Sequence, residues 1–367
     1  MNKSIVKTNM TNKNKSMKNG LIIVGSVVSL LSAGVAQAQE TRTLRMHAAF
    51  PTQAPVIGEI SPWLAERIEK LTGGSLEVDV FEPGALVPAT DYYDAVSQGA
   101  VDMAFGTPGY GSGLEPALNI FTAVPFGPDV TEYMAWMREG GGQELHDEIL
   151  EGMNLKGFVC TLTAPETAGW TTREFNTPED FSGAKLRYFG LGGRVLAKLG
   201  ASIQMIPGSE VYSALELGVI DGGEYSNPSI DVRAGLDQVT DYAYFPGWHQ
   251  QVAIDTLIIN LDTWNELSEQ QQLAIETTCG EATMRTLTQG AAAQPAAVQA
   301  LAEDDSVEIK VWSDEIMDAL ETAWEEVAEE ESAKNETFAR VMDSYNSFRE
   351  QYAKWQKLGY LKPETDE

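Results

Sequence analysis

The stretch Tyr93-Asp94-Ala95-Val96-Ser97-Gln98-Gly99-Ala100-Val101-Asp102 is echoed by Tyr212-Ser213-Ala214-Leu215-Glu216-Leu217-Gly218-Val219-Ile220-Asp221. Tyr, Ala, Gly and Asp coincide at a constant offset of 119 residues. Each copy reads as a helix end, a glycine that stops it, and a strand that begins near the aspartate. A common helix–glycine–strand turn used twice by chance would also account for the echo. The sharper reading is two similar α/β lobes, each delivering a strand end to a cleft, where α/β sheets bind ligands.

The flanking sequence agrees with this reading. Thr43–His47 is a short strand candidate, and Ile60, Leu64, Ile68 and Leu71 share one helical face. Gly73-Gly74 stops that helix, and Leu76–Phe81 alternates as a strand. Alternating strands and helices argue for a parallel α/β sheet. Farther along, Thr177-Pro178-Glu179-Asp180 is an N-cap with proline at the first helical position. Val252–Asn260 is an apolar strand. Ser268 and Gln271 have capping-box spacing and open a helix toward residue 300, after which Val307–Val311 alternates as a strand. Near the C-terminus Ile316, Leu320, Trp324 and Val327 form one apolar stripe. Phe338, Val341, Tyr345, Phe348, Tyr352 and Trp355 form a heptad seam. Packing on the body of the protein explains that seam, with self-association as the alternative.

The chain has 367 residues, with 54 acidic and 25 basic side chains and a net charge of −29. Nucleic acid is excluded as a main partner, because phosphate binding needs clustered Lys and Arg. The 8 Trp, 12 Tyr and 12 Phe argue against acidic disorder. Residues 1–39 carry Lys3, Lys7, Lys13, Lys15 and Lys18 and no acid, so the remainder holds 20 basic against 54 acidic residues, a net charge of −34. The apolar run Leu21–Leu31 is too short to span a bilayer, and Ala36-Gln37-Ala38 follows it. That order predicts a signal peptide over residues 1–38, cleaved after Ala38, and a soluble, exported product. A membrane anchor is the competing reading. Self-repulsion of such charge is screened by salt, which points to a marine or salt-loving source. Two cysteines make no disulfide framework, and Cys160 and Cys279 read as buried thiols, although export permits a bond.

No nucleophile motif, phosphate loop or metal-ligand spacing among His47, His146 and His249 is visible. Several polar residues instead sit among aromatics at predicted strand ends. Arg187 closes Ala184–Phe189, Glu166 and Trp170 follow Phe158–Leu162, Glu224, Tyr225 and Asn227 follow the second echo, and Trp248, His249 and Gln250 follow Phe245-Pro246-Gly247. Each alone is more often structural; convergence on one cleft would make them a site.

With these residues in place the chain resembles the extracytoplasmic solute receptors of tripartite ATP-independent periplasmic (TRAP) transporters. The resemblance rests on Thr72–Val78 with Phe81 and Gly84, both echoed phrases, Leu186-Arg187, and Ile220-Asp221-Gly222-Gly223-Glu224. Ala123–Gly127, Gly140–Leu145 and Tyr244–Trp248 point to the branch for 2-oxo and related small monocarboxylic acids. The resemblance implies an α/β, two-lobe periplasmic-binding-protein-like fold with crossing strands and a long connecting helix. It implies a receptor in the periplasm, not an enzyme, that hands an organic acid to membrane permease subunits driven by an ion gradient. It also implies Na⁺ or Ca²⁺ bridging ligand and protein, and no organic cofactor. Arg187 stands where the family's carboxylate-binding Arg stands. Glu224 matches the acidic cation ligand, and Tyr225 takes the place of a Trp, its backbone carbonyl facing the cation. Glu166 lies where the branch has Gln, and Gln250 where it has an acidic residue, which reads as an exchange of one charge across the site. The substrate set is therefore Arg187, Glu166, Trp170, Tyr225, Asn227, Trp248 and Gln250, and the cation set Glu166, Glu224, Tyr225 and Gln250.

The expected layout is lobe I at 39–161 and 251–304, lobe II at 162–250 and 305–336, and a C-terminal helix at 337–367 on the body or a partner. That helix is also the candidate homodimer surface. With the chain ending soon after Gly359-Tyr360-Leu361, an extra exchanged helix is not expected. Two other classes compete with the receptor. One is a secreted enzyme using Glu166 and Glu224 as paired carboxylates. The other is an adhesion or assembly protein acting through its acidic C-terminal helices.

Overall fold

A computed structural model describes residues 41–303 and 306–361. The expected signal peptide and its cleavage point lie outside the described residues. The strands are β1 (Arg42–Ala48), β2 (Leu76–Phe81), β3 (Met103–Gly106), β4 (Leu155–Thr163), β5 (Gly169–Thr171), β6 (Lys185–Arg187), β7 (Ser202–Ile203), β8 (Gly222–Gly223), β9 (Tyr242–Phe245), β10 (Ala253–Asn260) and β11 (Glu308–Val311). They form two sheets, ordered β2-β1-β3-β10-β4 and β11-β9-β5-β8-β6-β7.

The chain passes from the first sheet to the second between β4 and β5 and returns between β9 and β10. It crosses a third time along the helix Glu269–Glu303, which leads toward β11. Both sheets are mixed, which corrects the parallel sheet expected from alternation. β10 is antiparallel to β3 and β4, and β5 is antiparallel to β8 and β9. A parallel neighbour needs a crossover within its own sheet; β5 and β10 are reached directly from the other sheet and run the opposite way.

The echoed phrases fold alike. Their helices are Tyr92–Ser97 and Val211–Glu216, and Gly99 and Gly218 take left-handed φ values of 72° and 65°. A Cβ is disfavoured in that conformation, which is why glycine ends both helices. The aspartates then do equivalent work. Asp102 Oδ2 accepts from the Arg45 amide and Asp221 Oδ2 from the Lys185 amide, each at 2.8 Å. Each thereby pins the strand beside it: β3 runs parallel to β1, and β8 parallel to β6.

Ser268 and Gln271 form the expected reciprocal cap, with N–H donors at 3.0 and 3.4 Å. The helix they open packs on β4 and on the helix Ile60–Thr72. Cys160 of β4 and Cys279 of the long helix are joined in a disulfide, correcting the reading of two free thiols. Two small buried side chains on packed elements are pressed together there, a juxtaposition that spacing along the chain does not reveal.

The helices Asp314–Lys334 and Glu336–Gly359 complete the described chain. Ile316, Leu320, Trp324 and Val327 are buried, as are Phe338, Val341 and Tyr345. Trp136 receives this seam, its Nε1 donating to Ser344 Oγ at 3.2 Å and its ring meeting Tyr345 edge-on. Beyond Phe348 the seam leaves the body, and Trp355, Leu358 and Leu361 are exposed. Among the described residues no helix is long and apolar enough to cross a membrane.

Candidate functional site

The two direct crossovers between the sheets run side by side. Glu166 lies in the first, between β4 and β5, and Trp248, His249 and Gln250 lie in the second, between β9 and β10. The Glu166 amide donates to the Gln250 carbonyl at 3.1 Å. Gly247 makes the approach possible, since a Cβ there would sit 2.1 Å from the Glu166 carbonyl oxygen. The C-terminal ends of β3, β6 and β8 point to the same place and deliver Thr107, Arg187 and Glu224. The result is a cavity of about 50 Å³ lined by Glu166, Arg187, Glu224, Tyr225 and Gln250. At roughly 10–15 Å³ per water, it admits a handful of heavy atoms.

Arg187 and Glu224 form a buried ion pair, Nη1 to Oε1 at 2.7 Å. Nη1 also donates to the Glu224 carbonyl at 2.6 Å, and Nε to the Ile206 carbonyl at 3.1 Å. Nη2 carries none of these bonds. The Phe189 amide donates a further bond to Glu224 Oε1 at 2.6 Å. Burial works against the Arg187 charge, but Glu224, Tyr110 and Glu166 outweigh it and hold the guanidinium above its ordinary pKa.

Across the cavity Gln250 Nε2 donates to Glu166 Oε2. The two positions at which the sequence departs from its resemblance are thus hydrogen-bonded to each other. Burial pushes the Glu166 carboxyl well above the usual carboxylate range, and the like charge of Glu224 adds to this. His249 Nε2 stands 3.6 Å from Glu166 Oε2. Burial lowers the His249 pKa to about 4, so its imidazole is neutral at pH 7 and free to lend a lone pair. One donor atom each from Glu166, Glu224 and His249 lie within 4.8 Å of one another. Each carboxylate engages its neighbours through one oxygen, leaving the second as a hard donor suited to Ca²⁺ or Na⁺.

Three expected residues stand behind the wall instead of lining the cavity. Trp170 is fully buried and donates from Nε1 to Asp231 Oδ2 at 2.8 Å; Asp231 Oδ1 in turn accepts from the Ser226 amide at 2.9 Å. It supports the cavity wall through Ser226, which does line it. Asn227 caps the helix Pro228–Arg233, its carbonyl accepting from the Ile230 amide. Trp248 stacks on Tyr188 and lies against Phe126. Sequence reasoning missed His249 as a partner of the acids, because its neighbours in space are distant in the chain. It also missed Phe50, Tyr110, Thr122 and Asp255 of the lining. Asp255 carried one signal, a carboxylate inside an apolar strand.

The model for bacterial extracellular solute-binding proteins of family 7, DctP, matches residues 47–335. A monocarboxylate 2-oxoacid-binding periplasmic protein of Nostoc sp. is 32% identical over 302 residues, 82% of this chain and 83% of that protein. A TRAP transporter solute-binding protein of Bordetella bronchiseptica is similar at 32% identity and a TM-score of 0.84, covering 87% of this chain and 95% of that one. It is a mixed-occupancy dimer with copurified calcium and picolinate. A TRAP periplasmic solute-binding protein of Pseudoalteromonas atlantica, with bound sodium and pyruvate, is similar at 29% identity and a TM-score of 0.84, covering 87% and 97%.

Proposed function

We propose that this chain, which belongs to the bacterial extracellular solute-binding protein family 7, is the periplasmic receptor of a TRAP transporter and captures a small 2-oxo or 2-hydroxy monocarboxylate with a bridging cation. The observation that carries the reading is the meeting of Arg187, Glu224, Glu166 and Gln250 in one small cavity on the crossovers between two sheets. Arg187 Nη2 binds the ligand carboxylate, while Nη1 and Nε hold the fork in place. Glu166, Glu224, Gln250 and the Tyr225 carbonyl hold Ca²⁺ or Na⁺ beside it, with His249 as an additional donor. The cation supplies positive charge where the ligand carboxylate would otherwise join two buried acids. Calcium and sodium accompany small acids in the Bordetella and Pseudoalteromonas proteins, which supports this set.

Residues 39–161 with 251–304, and 162–250 with 305–336, act as the two lobes. They close about the crossovers and the long helix when ligand binds. The signal peptide is cleaved after Ala38. The closed receptor docks on membrane permease subunits that draw on an ion gradient. The exposed Trp355, Leu358 and Leu361 support a homodimer through the C-terminal helix, as does the dimeric state of the Bordetella protein. Sedimentation of a chain truncated before Phe338 tests this, and dimers that persist would sink it.

Calorimetric titration with pyruvate and lactate, in calcium or in EDTA, tests the main reading. The expected result is tight binding that weakens when the cation is removed. Arg187→Lys keeps the charge and loses the fork, and should weaken binding by roughly tenfold or more; Arg187→Ala should abolish it. Unchanged affinity in both variants would overturn the carboxylate assignment. One oxygen each of Glu166 and Glu224 lies within 4.8 Å of the other, inside the roughly 10 Å beyond which an acid–base pair is excluded. Recovery of the bound acid unaltered after long incubation is expected for a receptor, and turnover would make the chain an enzyme.

A further inference from the structure

Arg187 and Glu224 reach the cavity at strand ends of the second sheet, and Glu166 and Gln250 from the crossovers. The remaining lining includes residues of β10 and β4 in the first sheet. Ala253 and Asp255 project from the same face of β10, because side chains two apart in a strand share a face. They pair in register with Thr163 and Thr161 of β4. Ala253, Asp255 and Thr163 all line the cavity. The hydroxyls here are already engaged. Thr161 Oγ1 donates to Asp255 Oδ2 at 2.6 Å, Thr163 Oγ1 donates to the Ala253 carbonyl at 3.1 Å, and Thr107 and Thr122 bond each other. No hydrogen bond of the described residues falls on Asp255 Oδ1, although Asp255 is only 6% exposed. With Oδ2 held by Thr161, Oδ1 is the oxygen that this cavity-lining carboxylate has left for a ligand donor.

Charge leads to the same point. Arg187 faces three carboxylates, Glu166, Glu224 and Asp255. A ligand carboxylate makes four, while Arg187 and one divalent cation balance three. Asp255 is the acid left over, and it stands on β10 of the first sheet, whereas Arg187 and Glu224 stand at strand ends of the second. Resting on the receptor reading above, we propose that Asp255 is a specificity residue whose free oxygen accepts from a donor group beyond C2 of the ligand. The ligand class is then a short carboxylic acid with a hydroxyl or ammonium group at its far end, not one with an apolar tail.

Three matched acids test this on the mature protein in calcium: propanoate, 3-hydroxypropanoate and 3-aminopropanoate. At least one donor-bearing acid should bind roughly tenfold or more tightly than propanoate. Asp255→Ala should erase that preference, so that the three acids then bind within about twofold of one another. Asp255→Asn separates the two donors, since the amide still accepts from a hydroxyl but no longer attracts an ammonium group. Should Asp255→Ala fail to melt cooperatively, the wild-type ranking and Asp255→Asn decide. Equal binding of all three acids, or a preference that survives Asp255→Ala, overturns the role of Asp255 and leaves the receptor reading standing. Binding of none of them, nor of pyruvate or lactate, overturns both.

Discussion

Arg187 and Glu224 show how a side chain can be structural and functional at once. A lone Arg at a strand end is usually solvated or ion-paired. Arg187 is ion-paired, yet its partner is itself a wall of the cavity. Breaking such a pair leaves a buried charge and costs several kcal/mol, about 3–5 by precedent, so the conservative Arg187→Lys is the cleaner probe. Tyr225 depends on a glycine, because a Cβ on Gly208 would lie 2.2 Å from its ring. Gly208→Ala should therefore displace that ring, costing about 1–3 kcal/mol, and weaken acid binding; an unaltered titration would show that the ring does not shape the pocket. Asp255 carries a pH signature. Burial raises its pKa to about 6 from the usual 3.8. The folded state therefore favours the protonated acid. The associated stability is present below about pH 4 and is lost as pH rises through 6, a penalty on the order of 3 kcal/mol. Asp255→Asn should gain urea resistance over wild type at pH 8 and lose the gain at pH 4. A gap that ignores pH would contradict the assignment.

At the scale of elements, the crossovers are the functional unit. Strand ends and the turns after them were legible, so Arg187, Glu166, Glu224, Tyr225 and Gln250 could be named before their geometry was known. Asn227 and Trp248 follow strands in the same way and Trp170 lies within β5, yet all three face the packing behind the wall. Position after a strand does not fix which way a side chain points. Asp255 escaped because it stands in no motif, and His249, named only as one polar residue after a strand, was not paired with the acids, since only the meeting of distant segments brings them together. The disulfide belongs to this scale too. Cys160 and Cys279 tie β4 to the long helix across a separation of 119 residues. A closed loop of that size removes denatured-state entropy, so replacing both by Ser should lower the unfolding free energy by about 2–4 kcal/mol. Denaturant titration with and without reductant measures it, and a wild-type curve unmoved by reduction would place the stability elsewhere.

For the whole molecule the governing quantity is the net charge of −34 that remains once residues 1–39 are set aside. Self-repulsion at that charge opposes compaction and is screened within about 10 Å at 0.1 M salt. The melting temperature should rise with NaCl toward about 1 M; a flat or falling curve would remove the case for a salt-adapted protein. The same field repels an acidic ligand, so the site must reverse its local sign through Arg187 and a cation. What the sequence determined by itself is the set of local rules: the capping box at Ser268, the left-handed glycines after both echoed helices, the apolar β10, the leader pattern, and the total charge. These depend on neighbours a few residues apart, which periodicity and turn chemistry report. Only the tertiary structure decided that the sheets are mixed, that the two cysteines meet, and that Asp255 and His249 join the site. Those outcomes arise where chain segments from about fifty to more than a hundred residues apart are packed side by side, and no local pattern encodes which faces will touch.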